Sequence, residues 1–236
     1  MKVALLRVGI DSGSGSMDSP LFSDGSFEYL PIPDSDGIDE RTYGNHRGRT
    51  GRRLIDFFPQ ARQKTMGEQS IHLDPEFATF TYGDPTQPKA GLRRLNGGDL
   101  LVFYAGLKGF DHVASPALYI IGYFEVAFAG FAADLSEDQI TACQENYHVR
   151  HKAVFSAQRE RLVLVKGGAG SRMLKKAAKI SVMGKDRSGK PLKVLSPAMQ
   201  EIFGSFGGKL SFQRSPTRWV SDDHVDRAWS YVRGLP

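Results

Sequence analysis

The segment HLDPEF carries three side chains with chemical potential at alternate positions, namely His72, Asp74 and Glu76. Successive side chains of a strand point to opposite faces, so these three share one side if the segment is extended. An imidazole beside two carboxylates suits general acid and base catalysis, or the binding of a divalent cation. We therefore predict His72, Asp74 and Glu76 as catalytic residues. The alternative is a surface loop that turns at Asp74 and Pro75.

A further carboxylate, Asp11, follows the first hydrophobic stretch and opens a run of serines and glycines. Backbone amides in such a run can cradle a phosphate, and the Asp11 carboxylate can accept a hydrogen bond from a ribose hydroxyl. We predict Asp11 as catalytic and the following residues as substrate-binding: Ser12, Gly13, Ser14 and Gly15. The run lacks the lysine of a P-loop and the spacing of the GxGxxG fingerprint. A plain glycine and serine turn is the alternative.

Five more residues are predicted to bind substrate: Tyr82, Asp84, Tyr104, Tyr123 and Glu125. Tyr82 offers a hydroxyl or a stacking face, and the other two tyrosines offer rings on which a base can stack. Asp84 precedes a proline and is also a typical turn former. Glu125 lies in an otherwise apolar strand, where a buried carboxylate requires a partner. The alternatives are core positions for the strand tyrosines and an outward-facing position for Glu125.

Four basic residues recur at helical spacing: Arg172, Lys175, Lys176 and Lys179. Residues three and four apart share a helix face, so we predict a short basic helix that contacts a nucleic-acid backbone. A solvated basic face without a partner is the alternative.

The sequence predicts no metal site and leaves the cofactor unknown. His148 and His151 are three residues apart, but with His224 they do not give a recognisable set of zinc ligands. No G-x-S-x-G elbow is present, which gives nucleophilic hydrolase chemistry little support.

Strands and turns dominate the elements that must position these residues. Residues 1–10 are predicted to form a strand. The stretches LNGGDLLVFYAGL and PALYIIGYFEVAFAG are predicted to form an antiparallel hairpin, with Gly122 at a bulge or a tight curve. N-cap residues predict helices after Ser136 and Ser196, and helical spacing predicts a closing helix in DDHVDRAWSYVRG. The expected fold class is α+β, with a curved, mostly antiparallel sheet and flanking helices.

The composition is that of a globular protein. The chain has 236 residues, of which 40% are hydrophobic, and we predict one α+β domain over residues 1–236. Within it, residues 1–135 are expected to be mainly strands and residues 136–236 to be basic and richer in helices. The longest apolar run is too short for a membrane span, which needs about 20 residues. A single cysteine and the lack of a signal-peptide pattern favour the cytoplasm.

Charge is distributed unevenly along the chain. Residues 141–236 carry 18 of the 31 lysines and arginines but only 7 of the 26 acidic residues. Basic residues near phosphates release counterions on binding, so this asymmetry favours a nucleic-acid partner. A solvated basic surface would have the same composition.

Two resemblances extend this interpretation. The stretch GGDLLVFYAGL followed by LYIIGYFEV, within residues 96–126, resembles the core of PUA-like domains of the EVE and ASCH kind. That resemblance implies a small partial barrel that binds modified bases or RNA. The ordered series RVGIDSGSG, PLFSDGSFEYLPIPD, HLDPEFATFTYGD and GDLLVFYAGL is similar to the family called nucleotide modification associated domain 3. This family occurs in bacteria and phages, and the similarity implies a part in DNA base modification.

Two functional hypotheses follow from these observations, and an interaction domain that recruits other modifying enzymes is a third possibility. In the first, the protein is an enzyme or essential accessory of nucleic-acid base modification, with a base or nucleotide bound between the Asp11 loop and HLDPEF. In the second, it is a non-catalytic reader of modified bases. The expected partners are nucleic acid, with DNA favoured over RNA, and other base-modification enzymes; a membrane is not expected.

Overall fold

A computed structural model describes residues 1–11, 17–186, 188–212 and 216–236. The strands are β1 Val3–Arg7, β2 Ser19–Leu21, β3 Ile32–Pro33, β4 Ile71–His72, β5 Thr81–Asp84, β6 Leu100–Gly109, β7 Ala117–Phe131, β8 Val163–Gly167, β9 Arg172–Lys179, β10 Ser181–Lys185, β11 Pro191–Leu195 and β12 Arg218–Trp219. The α-helices are α1 Gln60–Gly67, α2 Glu137–Thr141, α3 Tyr147–Arg150, α4 Lys152–Gln158, α5 Pro197–Phe203 and α6 Asp222–Arg233. Short 3₁₀ helices cover Leu54–Phe57, Gln87–Arg94 and Phe206–Gly208.

The predicted α+β class, with a mostly antiparallel sheet, is confirmed. The main sheet has eight strands in the order β12-β1-β6-β7-β8-β5, with β2 also paired to β6 and β9 also paired to β7. Strands β1 and β2 run parallel to β6, and the other pairs of this sheet are antiparallel. The path has two different end strands, so the described strands form an open sheet.

The central hairpin of β6 and β7 is where the sheet bends. Its register shifts between Phe103 and Tyr104, opposite Gly122, so the predicted bulge is confirmed. A Cβ atom at Gly122 would lie 2.6 Å from the Phe77 ring and 2.8 Å from the carbonyl oxygen of Arg172. Glycine is therefore required for these two segments to approach the strand.

The predicted helix starts are confirmed, whereas one predicted helix is interrupted. Ser136 and Ser196 cap α2 and α5 through their side chains, and α6 closes the described chain. The single helix expected after Ser136 ends at Thr141, and a new helix begins after Asn146, whose side chain accepts a hydrogen bond from the amide of His148. This second cap fixes the position of α3.

The basic helix predicted over Arg172–Lys179 is wrong, because this segment forms strand β9. Strand β7 offers a partner along its edge, and cross-strand pairing overrides the helical propensity of lysine, alanine and leucine. Ile120 of β7 pairs with Ala178 of β9, but Gly122, two residues further along β7, pairs with Met173. The β9 residues between Met173 and Ala178 therefore loop away from β7. Their backbone bonds elsewhere; the amide of Ala177, for example, donates to the Gly25 carbonyl.

The largest core cluster packs on the main sheet and is closed by α5 and α6. Phe103 and Phe124 are completely buried in it, and their ring centroids lie 4.6 Å apart. A smaller cluster lies around Leu54–Phe57 and Tyr43, and another lies around Cys143 under α2. Within the described chain, no helix combines the length and the apolar character needed to cross a bilayer.

Candidate functional site

A cavity of about 460 Å³ opens where β1, β4, β5 and α3 meet. Strands β1 and β5 lie far apart in the strand order, so the sheet must curl for both to line one space. The titratable side chains that line this cavity are Arg7, Asp11, His72, Asp74, Tyr82, Asp84, Lys89 and His148. Five of these were predicted from the sequence as site residues: Asp11, His72, Asp74, Tyr82 and Asp84.

Asp74 is the most constrained carboxylate of the cavity. Its side chain is only 2% exposed. Oδ2 accepts hydrogen bonds from the amide of Gly83 at 2.8 Å and from Asn146 Nδ2 at 3.3 Å. Among the described residues, Oδ1 is buried and has no hydrogen-bond partner. The carbonyl of Asp74 accepts from the Tyr29 hydroxyl at 2.9 Å, which ties this turn to the core.

Two imidazoles lie beside this carboxylate. His148 Nε2 is 3.7 Å from Asp74 Oδ2, and His148 Nδ1 is 2.7 Å from Gln158 Oε1. The rings of His72 and His148 are 4.9 Å apart. The Tyr147 ring lies 3.9 Å from the His72 ring and 5.2 Å from the His148 ring, so a single aromatic cluster holds both imidazoles.

Burial is the largest cause of the pKa shifts of the side chains at this site. It lowers the pKa of His72 to about 3, with a further contribution from His148, and it also lowers the pKa of His148. Burial raises the pKa of Asp74 and that of the Tyr82 hydroxyl well above their ordinary values. Both imidazoles are therefore neutral at pH 7, and their lone pairs are available as acceptors or ligands.

Other polar residues of the cavity lining are partly exposed to solvent. Arg7 Nη2 lies 3.4 Å from Asp11 Oδ2, and the Asp11 side chain is 29% exposed. Asp84 accepts from the Tyr82 hydroxyl at 3.0 Å and from the amide of Thr86 at 2.7 Å. The predicted binding residues Ser12, Gly13, Ser14 and Gly15 lie outside the described residues.

Glu76 does not line the cavity with His72 and Asp74. Its carboxylate accepts from the amides of Ala78 and Thr79 and from the Thr79 hydroxyl, so it organises the turn before β5. The three residues do not share a face, because the chain leaves β4 at His72 and is not extended through Glu76. Glu76 is not part of the cavity lining.

Three other predicted substrate-binding residues also lie away from the cavity lining. Tyr104 is fully buried and its hydroxyl donates to the carbonyl of Phe212 at 3.3 Å, while Tyr123 is 2% exposed in the same core. Glu125 is partly exposed and lies 3.6 Å from Arg233. The nearly continuous apolar runs of β6 and β7 explain this outcome, since both faces of the hairpin are covered.

The predicted backbone-binding residues lie along β9. Arg172 donates to the carbonyls of Arg233 and Leu235, both at 2.7 Å, and so anchors the end of α6. Lys175, Lys176 and Lys179 are exposed. Their role in contacting a nucleic acid stays a prediction.

No role at this cavity was predicted from the sequence for Arg7, Lys89 or His148, which line it, or for Asn146, which donates to Asp74. His148 and its cap Asn146 come from α3, and Asn146 is 72 residues from its partner Asp74 in the chain. The one local signal is the asparagine directly before a short helix, which is typical of an N-cap. Nothing in the sequence spacing indicates which strand that helix packs against.

The fold and the cavity together define an α+β protein in which imidazoles, carboxylates and cations face one common space. The family model of nucleotide modification associated domain 3 matches residues 2–234, and the chain belongs to this family, as the sequence resemblance implied. No curated protein and no solved structure matches the chain. The resemblance to PUA-like domains therefore stays a prediction.

Proposed function

We propose that the protein is an enzyme or essential accessory of nucleic-acid base modification, and that a base or nucleotide of the substrate enters this cavity. The observation that carries the proposal is the lining itself. In a chain of a nucleotide modification family, one cavity combines the buried Asp74 and His148 with the cations Arg7 and Lys89. Modification of a nucleotide requires an acid or base and a cation that binds phosphate, and these four residues can supply such groups.

The size and polarity of the cavity agree with a nucleotide fragment. A volume of about 460 Å³ falls within the range of small-molecule sites, which is roughly 300–1,000 Å³. Arg7 and Lys89 lie at the wall where a phosphate can be neutralised, because guanidinium and ammonium groups both bind phosphate oxygens. Tyr82 and Asp84 offer a hydroxyl and a carboxylate, which suit the donors of a base edge.

The density of ionisable groups favours turnover over simple reading. A reader of modified bases needs an aromatic face and one or two hydrogen-bonding groups, whereas a modifying enzyme also needs a positioned acid or base. Tyr104 and Tyr123, the rings on which a reader would depend, are packed in the core. The cavity instead places an imidazole and a buried carboxylate 3.7 Å apart, and each of these groups can act as an acid or base toward a bound substrate.

We further propose that the exposed lysines of β9 contact the backbone of the nucleic acid, with DNA as the preferred substrate. Lys175, Lys176 and Lys179 carry positive charge on a solvent-exposed segment, which suits contacts that position a backbone without reading sequence. The basic composition of residues 141–236 is consistent with this role.

Nucleoside mass spectrometry tests the proposed function. DNA and RNA from cells that express the wild-type protein would be compared with nucleic acid from cells that express Asp74→Asn, which preserves side-chain shape. We expect a nucleoside mass that depends on the wild-type protein and falls at least about 100-fold in the variant, because a general base contributes roughly 10²–10⁴ in rate.

The matched control is Glu201→Gln, an exposed carboxylate far from the cavity in sequence, on α5. It should leave the nucleoside profile unchanged. If no nucleoside depends on the protein but the purified chain binds a modified nucleoside, the reader hypothesis is correct. Absence of both results would contradict the proposed function.

A further inference from the structure

We propose that His72, Asp74 and His148 bind a divalent transition-metal ion on the inner wall of the cavity. The inference deepens the proposed function, because the ion would lie where the substrate enters, and it rests on that function for its biological role. Binding of the ion itself rests only on these three residues, and it can be measured without a nucleotide.

The ligand geometry is the first argument. One potential ligand atom from each of the three residues lies within 4.8 Å of the other two. The 3.7 Å between His148 Nε2 and Asp74 Oδ2 is too long for a direct hydrogen bond. It is suitable for two ligands of one ion, since bonds from zinc to nitrogen and oxygen are about 2.0–2.2 Å long.

The second argument is the unpartnered oxygen of Asp74. Oδ2 is used by Gly83 and Asn146, whereas Oδ1 is buried without a hydrogen-bond partner in the described parts of the chain. Leaving a buried carboxylate oxygen unsatisfied is costly, so native proteins rarely do so without a reason. A cation that Asp74 binds through Oδ1 would satisfy this oxygen.

The third argument is the support behind the imidazoles. Metal-binding histidines usually donate their second ring N–H to an oxygen, which fixes the tautomer and the ring orientation. His148 Nδ1 makes this contact with Gln158 Oε1 at 2.7 Å, and the tautomer with its proton on Nδ1 would leave Nε2 to bind the ion. His72 is held by the Tyr147 ring, whose hydroxyl donates to Asp34 at 2.9 Å.

The donor set indicates the class of ion. Two imidazole nitrogens and one carboxylate oxygen suit Zn²⁺, Fe²⁺, Co²⁺ or Mn²⁺, whereas Ca²⁺ and Mg²⁺ prefer an all-oxygen set. Three protein ligands leave coordination positions open, as in catalytic rather than structural sites. Because the three residues line the cavity, the open positions would face the space where a substrate binds.

A second group of similar composition, Asp39, Glu40 and His151, is not proposed as a metal site. Both oxygens of Asp39 are engaged by Arg41 and His151, and Glu40 forms an ion pair with Arg150. The positive charge that these carboxylates need is already supplied by the protein. This group therefore provides a control within the same molecule.

Metal titration of the untagged full-length protein tests the proposal. After chelator treatment and dialysis, Zn²⁺ binding would be measured by calorimetry, and Co²⁺ binding would be followed by visible absorption. We expect one tight equivalent of either ion. His72→Ala, His148→Ala and Asp74→Asn should each weaken binding by more than about 100-fold, because loss of an outer-shell partner alone costs about 10–100-fold.

The control variant Glu40→Gln, an exposed member of the second group, should keep the wild-type stoichiometry and affinity. Circular dichroism would confirm that each variant is folded, and the stoichiometry of the wild-type protein tests the proposal even if a variant fails to fold. Wild-type protein that binds neither ion, or binding that survives all three substitutions, would overturn the proposal. Metal binding combined with an unchanged nucleoside profile would instead count against the proposed function alone.

Gln158 is proposed as a positioning residue for this site. Gln158→Leu removes the acceptor of His148 Nδ1, so Zn²⁺ affinity should fall about 10–100-fold. Gln158→Glu keeps an acceptor oxygen and should restore most of the affinity. Equal loss of affinity in both variants would show that the contact at Nδ1 does not support metal binding.

Discussion

Replacing Phe124 with alanine is expected to lower the free energy of unfolding by about 3–5 kcal/mol, the usual cost of truncating a fully buried phenylalanine. The Phe124 side chain is completely buried on β7. Its ring makes edge contacts with Phe77, Phe80 and Phe103, at centroid distances of 5.6, 5.8 and 4.6 Å. The substitution leaves a cavity that these neighbouring rings cannot easily fill.

Urea denaturation at pH 7 measures this loss, with Val113→Ala as the control. Val113 is fully exposed in the turn between β6 and β7, so its truncation should change the free energy of unfolding by no more than about 0.5 kcal/mol. A loss below about 1.5 kcal/mol for Phe124→Ala would mean that its ring does not belong to the core as described.

This aromatic cluster also supports the candidate site. The Phe77 ring lies 5.5 Å from Phe103 and 6.0 Å from Tyr29, and the Tyr29 hydroxyl donates to the carbonyl of Asp74. A continuous path of packed rings therefore connects the centre of the sheet to the backbone of Asp74. Packing of this kind holds a polar site within the narrow geometric limits that binding and catalysis require.

The sequence contained enough local information to predict most of the central sheet. The hairpin of β6 and β7 follows from two long apolar stretches separated by turn residues, and its bend follows from Gly122. Caps predicted the starts of α2 and α5 because the serine side chain and the first helical amides are close in sequence. Strand β9 was mistaken for a helix because the edge of β7, which captures it, lies far away in the chain.

The residues of the candidate site were likewise predicted only in part. His72, Asp74 and Tyr82 were found because polar side chains cluster near turns within a dozen residues of one another. His148 was considered only with His151 and His224, since its actual neighbours depend on how α3 packs against β5. Asn146 makes that packing specific: its Oδ1 caps α3, while its Nδ2 donates to Asp74. The spacing of residues along the sequence does not reveal a contact between Asn146 and Asp74, which are 72 residues apart.

Asp39→Ala is expected to lower the free energy of unfolding at pH 7 by about 3 kcal/mol, because it leaves the largely buried Arg41 guanidinium without its partner. The Asp39 side chain is completely buried. Oδ1 accepts from Arg41 Nε at 2.8 Å, and Oδ2 lies 3.2 Å from His151 Nε2. His151 follows α3 directly, so this network also fixes the helix that carries His148.

The effect of Asp39→Ala should depend on pH in a defined direction. Burial alone would raise the pKa of Asp39, but the hydrogen bonds and charge of Arg41, with a contribution from His151, hold this pKa well below its usual value. A carboxyl group with a lower pKa in the folded state stabilises the fold fully above its unfolded pKa of about 3.9. The contribution is then lost as the pH falls toward the folded pKa.

Urea denaturation of the wild-type protein and of Asp39→Ala between pH 7 and about pH 2.5 measures this dependence. The difference between the two proteins should be constant down to about pH 5 and should shrink below it. Glu40→Gln is the matched control, because Glu40 is 66% exposed and its ion pair with Arg150 contributes no more than about 1 kcal/mol. A difference that grows in acid would mean that Asp39 is protonated in the folded protein, and that α3 is held by other contacts.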